Sequence, residues 1–272
     1  MQLLDGRKAR EHYIGKLVEK IKALSIIPCL VIIQVGERAD SDAFIKAKKS
    51  FAKKIEAKEI HEKLPEDISQ EKIIELINKY NNDENVHGII VQLPLPKHLN
   101  PDEIINTIDP KKDTDGLKEG SKTIPATARG VKELLDFYNI PLKDKKVTVM
   151  GRSKLVGTPI AEICRENGAE VTVCHKHSNN NEEKARNAEI LIVAIGDPKF
   201  VNEKFVNNDQ IVVDVGITRL GEGLVGDVDF EKVKDIVKMI SPVPGGVGQM
   251  TVLALFENLV DACYNASKVD NN

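Results

Sequence analysis

Along the chain, short runs of Ile, Val and Leu alternate with longer stretches whose apolar positions recur every three or four residues. The short runs predict strands over 30–35, 88–93, 146–150, 170–174, 189–195, 210–215 and 238–240. The longer stretches predict helices, among them 41–57, 70–81, 159–166, 229–237 and a final one over 251–267. Near-continuous apolar strands separated by helices are buried on both faces, as in the parallel sheets of an α/β protein. A turn-rich, charged stretch at 139–146 precedes a fresh strand, and the alternation then continues to residue 249. The pattern predicts two domains. One spans 1–138 and is completed by the C-terminal helix over 250–272; the other, over 139–249, is a Rossmann-type nucleotide-binding domain.

Three polar residues break this pattern. Ser41 suits a helix N-cap, and at about 100° per residue Phe44, Ala47, Phe51, Ala52 and Ile55 form one apolar stripe. Lys46, Lys49 and Lys53 lie opposite, but Lys48 falls inside the stripe, one turn after Phe44. Its stem can lie along the stripe while the ammonium reaches water. Alternatively it is a desolvated amine that exchanges protons near neutral pH. Spacing alone leaves both readings open. Gln92 interrupts the run over 88–96 at a strand's C-terminal end, where α/β proteins place ligands and where the backbone can also satisfy an amide. Asp115 lies in Lys-Asp-Thr-Asp-Gly at 112–116, a turn whose aspartates also suit bonding to their own backbone.

Composition narrows the classes. A hydrophobic share of 41% is enough for a sizeable core and excludes a disordered chain. Lys and Arg total 39 against 42 Asp and Glu, a net charge of −3, so no global field draws the chain to nucleic acid or anionic lipid. No apolar run approaches the roughly 20 residues of a membrane helix, and the start turns charged before a secretory segment could form. Four scattered cysteines without a C-x-x-C predict reduced thiols in a soluble, cytoplasmic protein.

The strand over 146–150 runs into Gly151-Arg-Ser-Lys-Leu-Val-Gly157-Thr-Pro159 and then a helix, with Thr158 suited to the N-cap and Pro159 to the first turn. Glycines before a helix N-terminus admit a phosphate, whose charge the helix dipole favours; a tight strand–helix turn needs them too. The next strand ends Cys174-His-Lys176-His177, without the acidic residue that holds an NAD ribose. Arg152 and Lys176 suit a 2′-phosphate instead, hence NADP. A zinc reading of Cys174, His175 and His177 lacks a second ligand cluster, so no metal is expected. Pro242-Val-Pro-Gly-Gly-Val-Gly-Gln-Met-Thr251 reads as a rigid loop whose glycines permit close approach to a flat ligand.

Taken in order, VQLPLP at 91–96, KDTDG at 112–116, GRSKLVGTP at 151–159, GDVDF at 226–230 and PVPGGVGQMT at 242–251 closely resemble the FolD family of bifunctional methylenetetrahydrofolate dehydrogenase/methenyltetrahydrofolate cyclohydrolases. The resemblance covers nearly the whole chain. It implies a folate-binding α/β domain followed by a Rossmann domain that binds NADP. It implies oxidation of 5,10-methylenetetrahydrofolate and hydrolysis of the methenyl product to 10-formyltetrahydrofolate, in a homodimer. By the same resemblance Lys48 is the acid/base of the hydrolysis, Gln92 orients it and Asp115 binds the pterin edge. Phe44, Pro244, Gly245 and Gly246 contact the folate, and Gly151, Arg152, Ser153, Gly157, Lys176 and Ile217 contact the cofactor.

The chain departs from the family pattern at four places. Phe44 stands where the family usually has tyrosine, and a phenyl ring stacks but relays no proton. The segment between Gly116 and Pro125 is shorter than usual, P-C-T-P becomes Pro125-Ala-Thr-Ala128, and Gln249 ends the glycine loop. Three alternatives follow: a dehydrogenase with weak cyclohydrolase activity, an NADP oxidoreductase of shikimate dehydrogenase-like build, and a noncatalytic folate or nucleotide binder.

Overall fold

A computed structural model describes residues 1–221 and 223–269; the last three residues of the predicted 250–272 segment lie outside them. In chain order the elements are β1 (Gln2–Leu3), α1 (Gly6–Lys22), β2 (Cys29–Val35), α2 (Ala39–Lys54), β3 (Lys58–Leu64), α3 (Gln70–Asn81), β4 (Gly88–Val91), α4 (Pro101–Asn106) and α5 (Ala126–Phe137). They continue with β5 (Lys146–Met150), α6 (Gly157–Glu166), β6 (Glu170–Cys174), α7 (Asn181–Arg186), β7 (Ile190–Val193) and β8 (Ile211–Asp214). A hairpin of β9 (Thr218–Leu220) and β10 (Gly223–Val225), then α8 (Phe230–Val233), β11 (Met239–Ile240) and α9 (Val247–Val269), complete the chain.

The chain divides into two units. One comprises Met1–His12 with Thr127–Thr251, the other Tyr13–Ala126 with the chain from Val252 onward. The divisions therefore fall elsewhere than at residues 138 and 249. The first twelve residues also separate from the chain that follows them, because β1 adds to β11 in parallel, Leu3 opposite Ile240, and so joins the nucleotide-type sheet.

That sheet is six-stranded and parallel throughout, in the order β6-β5-β7-β8-β11-β1. From β5 the chain moves outward to β6, then returns past β5 to β7. Right-handed crossovers place the intervening helices on opposite faces and open a crevice at the strand ends between β5 and β7. Its core gathers Met150, Leu191, Val193, Val212 and Ile240.

The other unit repeats this reversal on a smaller scale. Its three parallel strands run β3-β2-β4, so the loops after β2 and β4 flank the same kind of crevice. A parallel bridge from Ile89 to Asp113 extends the sheet beyond β4. Val31, Ile33, Ile73, Ile77 and Ile89 fill the core against α3. Strand β3, KEIHEKL, carries too many charges to be read from hydropathy, yet pairs with β2 over its full length.

Several local expectations are corrected. Helix α2 starts at Ala39, so Ser41 lies inside it and is buried rather than capping. Its buried face runs through Ser41, Ile45, Phe51, Ala52 and Ile55, whereas Phe44 and Ala47 are exposed. Helix α9 starts at Val247, four residues before the predicted start, so the rigid loop shrinks to 242–246. No helix among the described residues is long and apolar enough to cross a membrane.

Candidate active site

In the smaller-sheet unit, Lys48 is half-buried on the face of α2 that also carries Ile45 and Ala52. Its Nζ donates a 2.8 Å hydrogen bond to Oε1 of Gln92, the residue that follows β4. The Gln92 backbone N–H donates to the carbonyl of Ile33 and its Nε2 to the carbonyl of Leu93, so the amide is held at both ends. Burial pushes the Lys48 ammonium below its ordinary value, with Asp115 pulling it partly back. Burial likewise raises the Asp115 carboxyl, partly offset by Lys48. Burial thus shifts the amine and the carboxyl towards their neutral forms, and the neutral form of Lys48 is the one that can accept a proton.

The two aspartates of the 112–116 turn divide the work. Asp113 Oδ1 accepts from the N–H groups of Gly116 and Leu117, and Oδ2 from that of Lys118. The local turn chemistry is thus done by Asp113, and Asp115 is left to face Lys48. Sequence reasoning missed Asn258, a buried residue on α9. Its Nδ2 donates to the carbonyls of Thr114 and Ile124, both at 2.9 Å, and so holds the segment that carries Asp115. The only sequence signal was a polar residue within an apolar helix stripe.

In the other unit, the predicted cofactor residues gather at the C-terminal ends of the parallel strands. Gly151 follows β5 with φ of +133°, and a Cβ there would lie 2.1 Å from the Ala194 carbonyl oxygen beyond β7. A Cβ at Gly157 would lie 2.3 Å from the Gly151 carbonyl oxygen. These glycines therefore close the strand–helix turn itself. Helix α6 begins at Gly157 with Val156 as its N-cap residue, so Thr158 lies inside the helix, and Ser153 Oγ in the preceding turn accepts from the N–H groups of Val156 and Gly157 at 3.2 and 3.3 Å. A hydroxyl that accepts twice keeps its own hydrogen to donate to an anion.

Arg152 and Lys176 are both exposed, at the ends of β5 and β6. Partial desolvation and the Arg152 charge hold the neighbouring His175 below its ordinary value, which marks this strand end as cationic. Ile217 lies beyond β8, its Cδ1 3.1 Å from where a Gly248 Cβ would stand. Pro244 is exposed, while Gly245 and Gly246 are buried, and the Gly245 carbonyl accepts from the N–H of Gly6 at 2.9 Å. Gln249, one of the departures, is held by Arg10 at 2.6 Å. Lys48, Gln92, Asp115 and Phe44 thus belong to one unit and Pro244, Gly245, Gly246 and the cofactor residues to the other.

Ser153, Arg152 and Lys176 fit a phosphorylated dinucleotide: a hydroxyl and two cations, with no carboxylate at the end of β6 to repel a 2′-phosphate. Fold and residues together define an α/β protein with a dinucleotide-binding parallel sheet and a second parallel unit carrying an amine–amide–carboxyl set.

Residues 4–115 match the family model for the catalytic domain of tetrahydrofolate dehydrogenase/cyclohydrolase, and residues 125–267 that for its NAD(P)-binding domain. The bifunctional protein FolD of Streptococcus thermophilus is 42% identical over 280 residues, covering 98% of this chain and 99% of that protein. A crystal structure of bifunctional FolD from Campylobacter jejuni matches with a TM-score of 0.93 and 38% identity, covering 98% of this chain and 99% of that one. The Trypanosoma brucei FolD structure, complexed with NADP cofactor and inhibitor, matches at 0.91 with 29% identity over 97% of each chain. The chain belongs to the tetrahydrofolate dehydrogenase/cyclohydrolase family.

Proposed function

We propose that this chain oxidises 5,10-methylenetetrahydrofolate with NADP and hydrolyses the 5,10-methenyl product to 10-formyltetrahydrofolate. The observation that carries the reading is the 2.8 Å hydrogen bond from Lys48 to Gln92, in a chain whose family matches span both domains. Bound NADP supplies the hydride acceptor for the first reaction. Hydride leaves the methylene carbon directly, so that step asks no proton transfer of the protein. Arg152, Ser153, Gly157 and Lys176 bind the phosphates, and Gly151 and Ile217 flank the dinucleotide. Phe44, Pro244, Gly245 and Gly246 contact the folate, and Asp115 accepts hydrogen bonds from the pterin edge.

Hydrolysis needs a base. As water's oxygen bonds to the methenyl carbon, the neutral Lys48 amine takes one of its protons. The carbinolamine then loses its hydroxyl proton to solvent as the carbonyl forms and the carbon–N5 bond breaks. N5 receives the proton held by Lys48, and one proton is released overall. Gln92 Oε1 accepts from Lys48 throughout and fixes the amine's direction. A second reading, strong dehydrogenase with slow cyclohydrolase, is favoured by Phe44, which has no hydroxyl to assist that lysine.

Four free, buried cysteines support a reducing, cytoplasmic setting, and the family resemblance supports a homodimer, to be read by sedimentation. The decisive assay supplies purified protein with methylenetetrahydrofolate and NADP+ and follows NADP+ reduction and methenyl loss separately. Folded protein that reduces no NADP+ at any folate concentration overturns the reading.

A further inference from the structure

Two buried carboxylates have no part in the mechanism above. Asp214 ends β8 at 3% exposure and Asp227 follows the β9–β10 hairpin at 0%. Asp227 Oδ2 accepts from the N–H groups of Ile195 and Gly196, both at 2.7 Å, in the turn that leaves β7. Asp214 Oδ1 accepts from the N–H groups of Gly216 and Asp227, and Oδ2 from that of Val228, at 3.0–3.1 Å. Asp214 therefore holds the segment bearing Asp227, and Asp227 holds the turn after β7.

The fit depends on missing side chains. A Cβ on Gly216 would lie 2.2 Å from Asp227 Cγ, and one on Gly226 would lie 1.8 Å from Asp214 Oδ2. The Asp227 carboxylate lies flat against the residue before Ile217. Its Oδ1 is buried without a hydrogen-bond partner and sits 2.3 Å from that missing Cβ. Burial raises the Asp227 carboxyl above its ordinary value, the backbone N–H groups of Gly196, Ile195 and Asp197 pull it back towards the ionised form, and the Asp197 charge pushes it up again. The turn after β7 would otherwise offer its N–H groups to a phosphate; the chain's own anion already fills it.

Position gives this charge a consequence. A dinucleotide with its 2′-phosphate at Lys176 and its pyrophosphate at Gly151–Ser153 crosses the switch point, so its nicotinamide half extends towards the ends of β7 and β8. The oxidised nicotinamide ring is a cation and the reduced ring is neutral. Resting on the NADP reading above, we propose that the Asp214–Asp227 pair makes this half of the site selective for the oxidised over the reduced cofactor, with Asp227 as its principal positioning and electrostatic residue.

The test is the ratio of dissociation constants for NADP+ and NADPH, measured by calorimetry without folate across a series of pH values, because burial raises both carboxyls and only their ionised forms carry the charge invoked here. The unmodified protein is expected to bind NADP+ at least as tightly as NADPH. Asp227→Asn is expected to shift the ratio towards NADPH about fivefold, the scale of one charge acting through a partly solvated path. A merely structural role would weaken both cofactors equally and leave the ratio unchanged, overturning the proposal. Should Asp227→Asn fail to fold, Asp214→Asn gives the same reading, and NADPH binding tenfold tighter than NADP+ to the unmodified protein overturns the proposal without any variant. Binding of neither dinucleotide by folded protein would instead be a failure of the NADP reading itself.

Discussion

Lys48 and Gln92 lie 44 residues apart in the chain and meet through a 2.8 Å hydrogen bond from Nζ to Oε1. The lysine faces the sheet from α2, and the glutamine leaves the C-terminal end of β4, itself paired to β2. A lysine that sequence spacing left between two readings is thereby placed as a held, part-desolvated amine.

Lys48→Met should cost the cyclohydrolase at least a hundredfold, the usual contribution of a positioned general base being about 10²–10⁴, and leave hydride transfer within a few-fold. The pH profile should agree. Burial lowers the Lys48 pKa, so the neutral base accumulates below the ordinary lysine range and hydrolysis should rise with pH through that lowered value. A Lys48→Met protein that hydrolyses at the unmodified rate would show the lysine to be a packing residue.

Phe44 is exposed on α2, one turn before Lys48 and with no hydroxyl. If a hydroxyl there assists the amine, Phe44→Tyr should raise methenyl hydrolysis severalfold with little change in NADP+ reduction. Parallel measurement of the two rates on one preparation checks this, and an equal change in both would remove the proposed link to Lys48.

Lys176→Glu replaces an exposed cation at the end of β6 with the kind of residue that holds an NAD ribose. Charge-assisted bonds are worth about 1.5–3 kcal/mol, so the affinity for NADP+ should fall by roughly one to two decades while that for NAD+ holds or improves. Titration of both cofactors decides it; parallel losses would place the 2′-phosphate elsewhere.

Asn258→Leu leaves the carbonyls of Thr114 and Ile124 without their buried donor. At about 1–3 kcal/mol for an unsatisfied buried group, urea denaturation should show a loss of that order. Because the same segment carries Asp115, folate affinity should fall as well. A stability loss with unchanged folate affinity would separate the clamp from the site.

Burial raises the Asp214 carboxyl to about 7 from an ordinary 3.8. Between those values the folded chain keeps a proton that the unfolded chain releases, so this group's stabilisation is complete at the acid end and is lost as pH rises through about 7. Asp214→Asn should abolish that slope, at most about 1.4 kcal/mol per pH unit for one proton. Denaturant midpoints across the window, compared between the two proteins, measure it.

The sequence by itself determined the α/β class, the run of family motifs and the oddity of a lysine within an apolar helix stripe, because local periodicity records which face of an element is buried. Only the tertiary structure decided what that face meets. It chose Ile45 rather than Phe44 for the buried side of α2, the side on which Phe51 meets Phe256 of α9 at 5.2 Å between ring centroids. It drew charged β3 into a sheet through backbone bonds that hydropathy does not register. It gave turn bonding to Asp113 and left Asp115 for Lys48, placed Thr158 inside α6 with Ser153 accepting from the N–H groups of Val156 and Gly157, and set Asp214 against Gly226 and Asp227 against Gly216. In each case the partner lies across a crossover or around a turn, where register and backbone direction, rather than side-chain spacing along the chain, decide which groups meet.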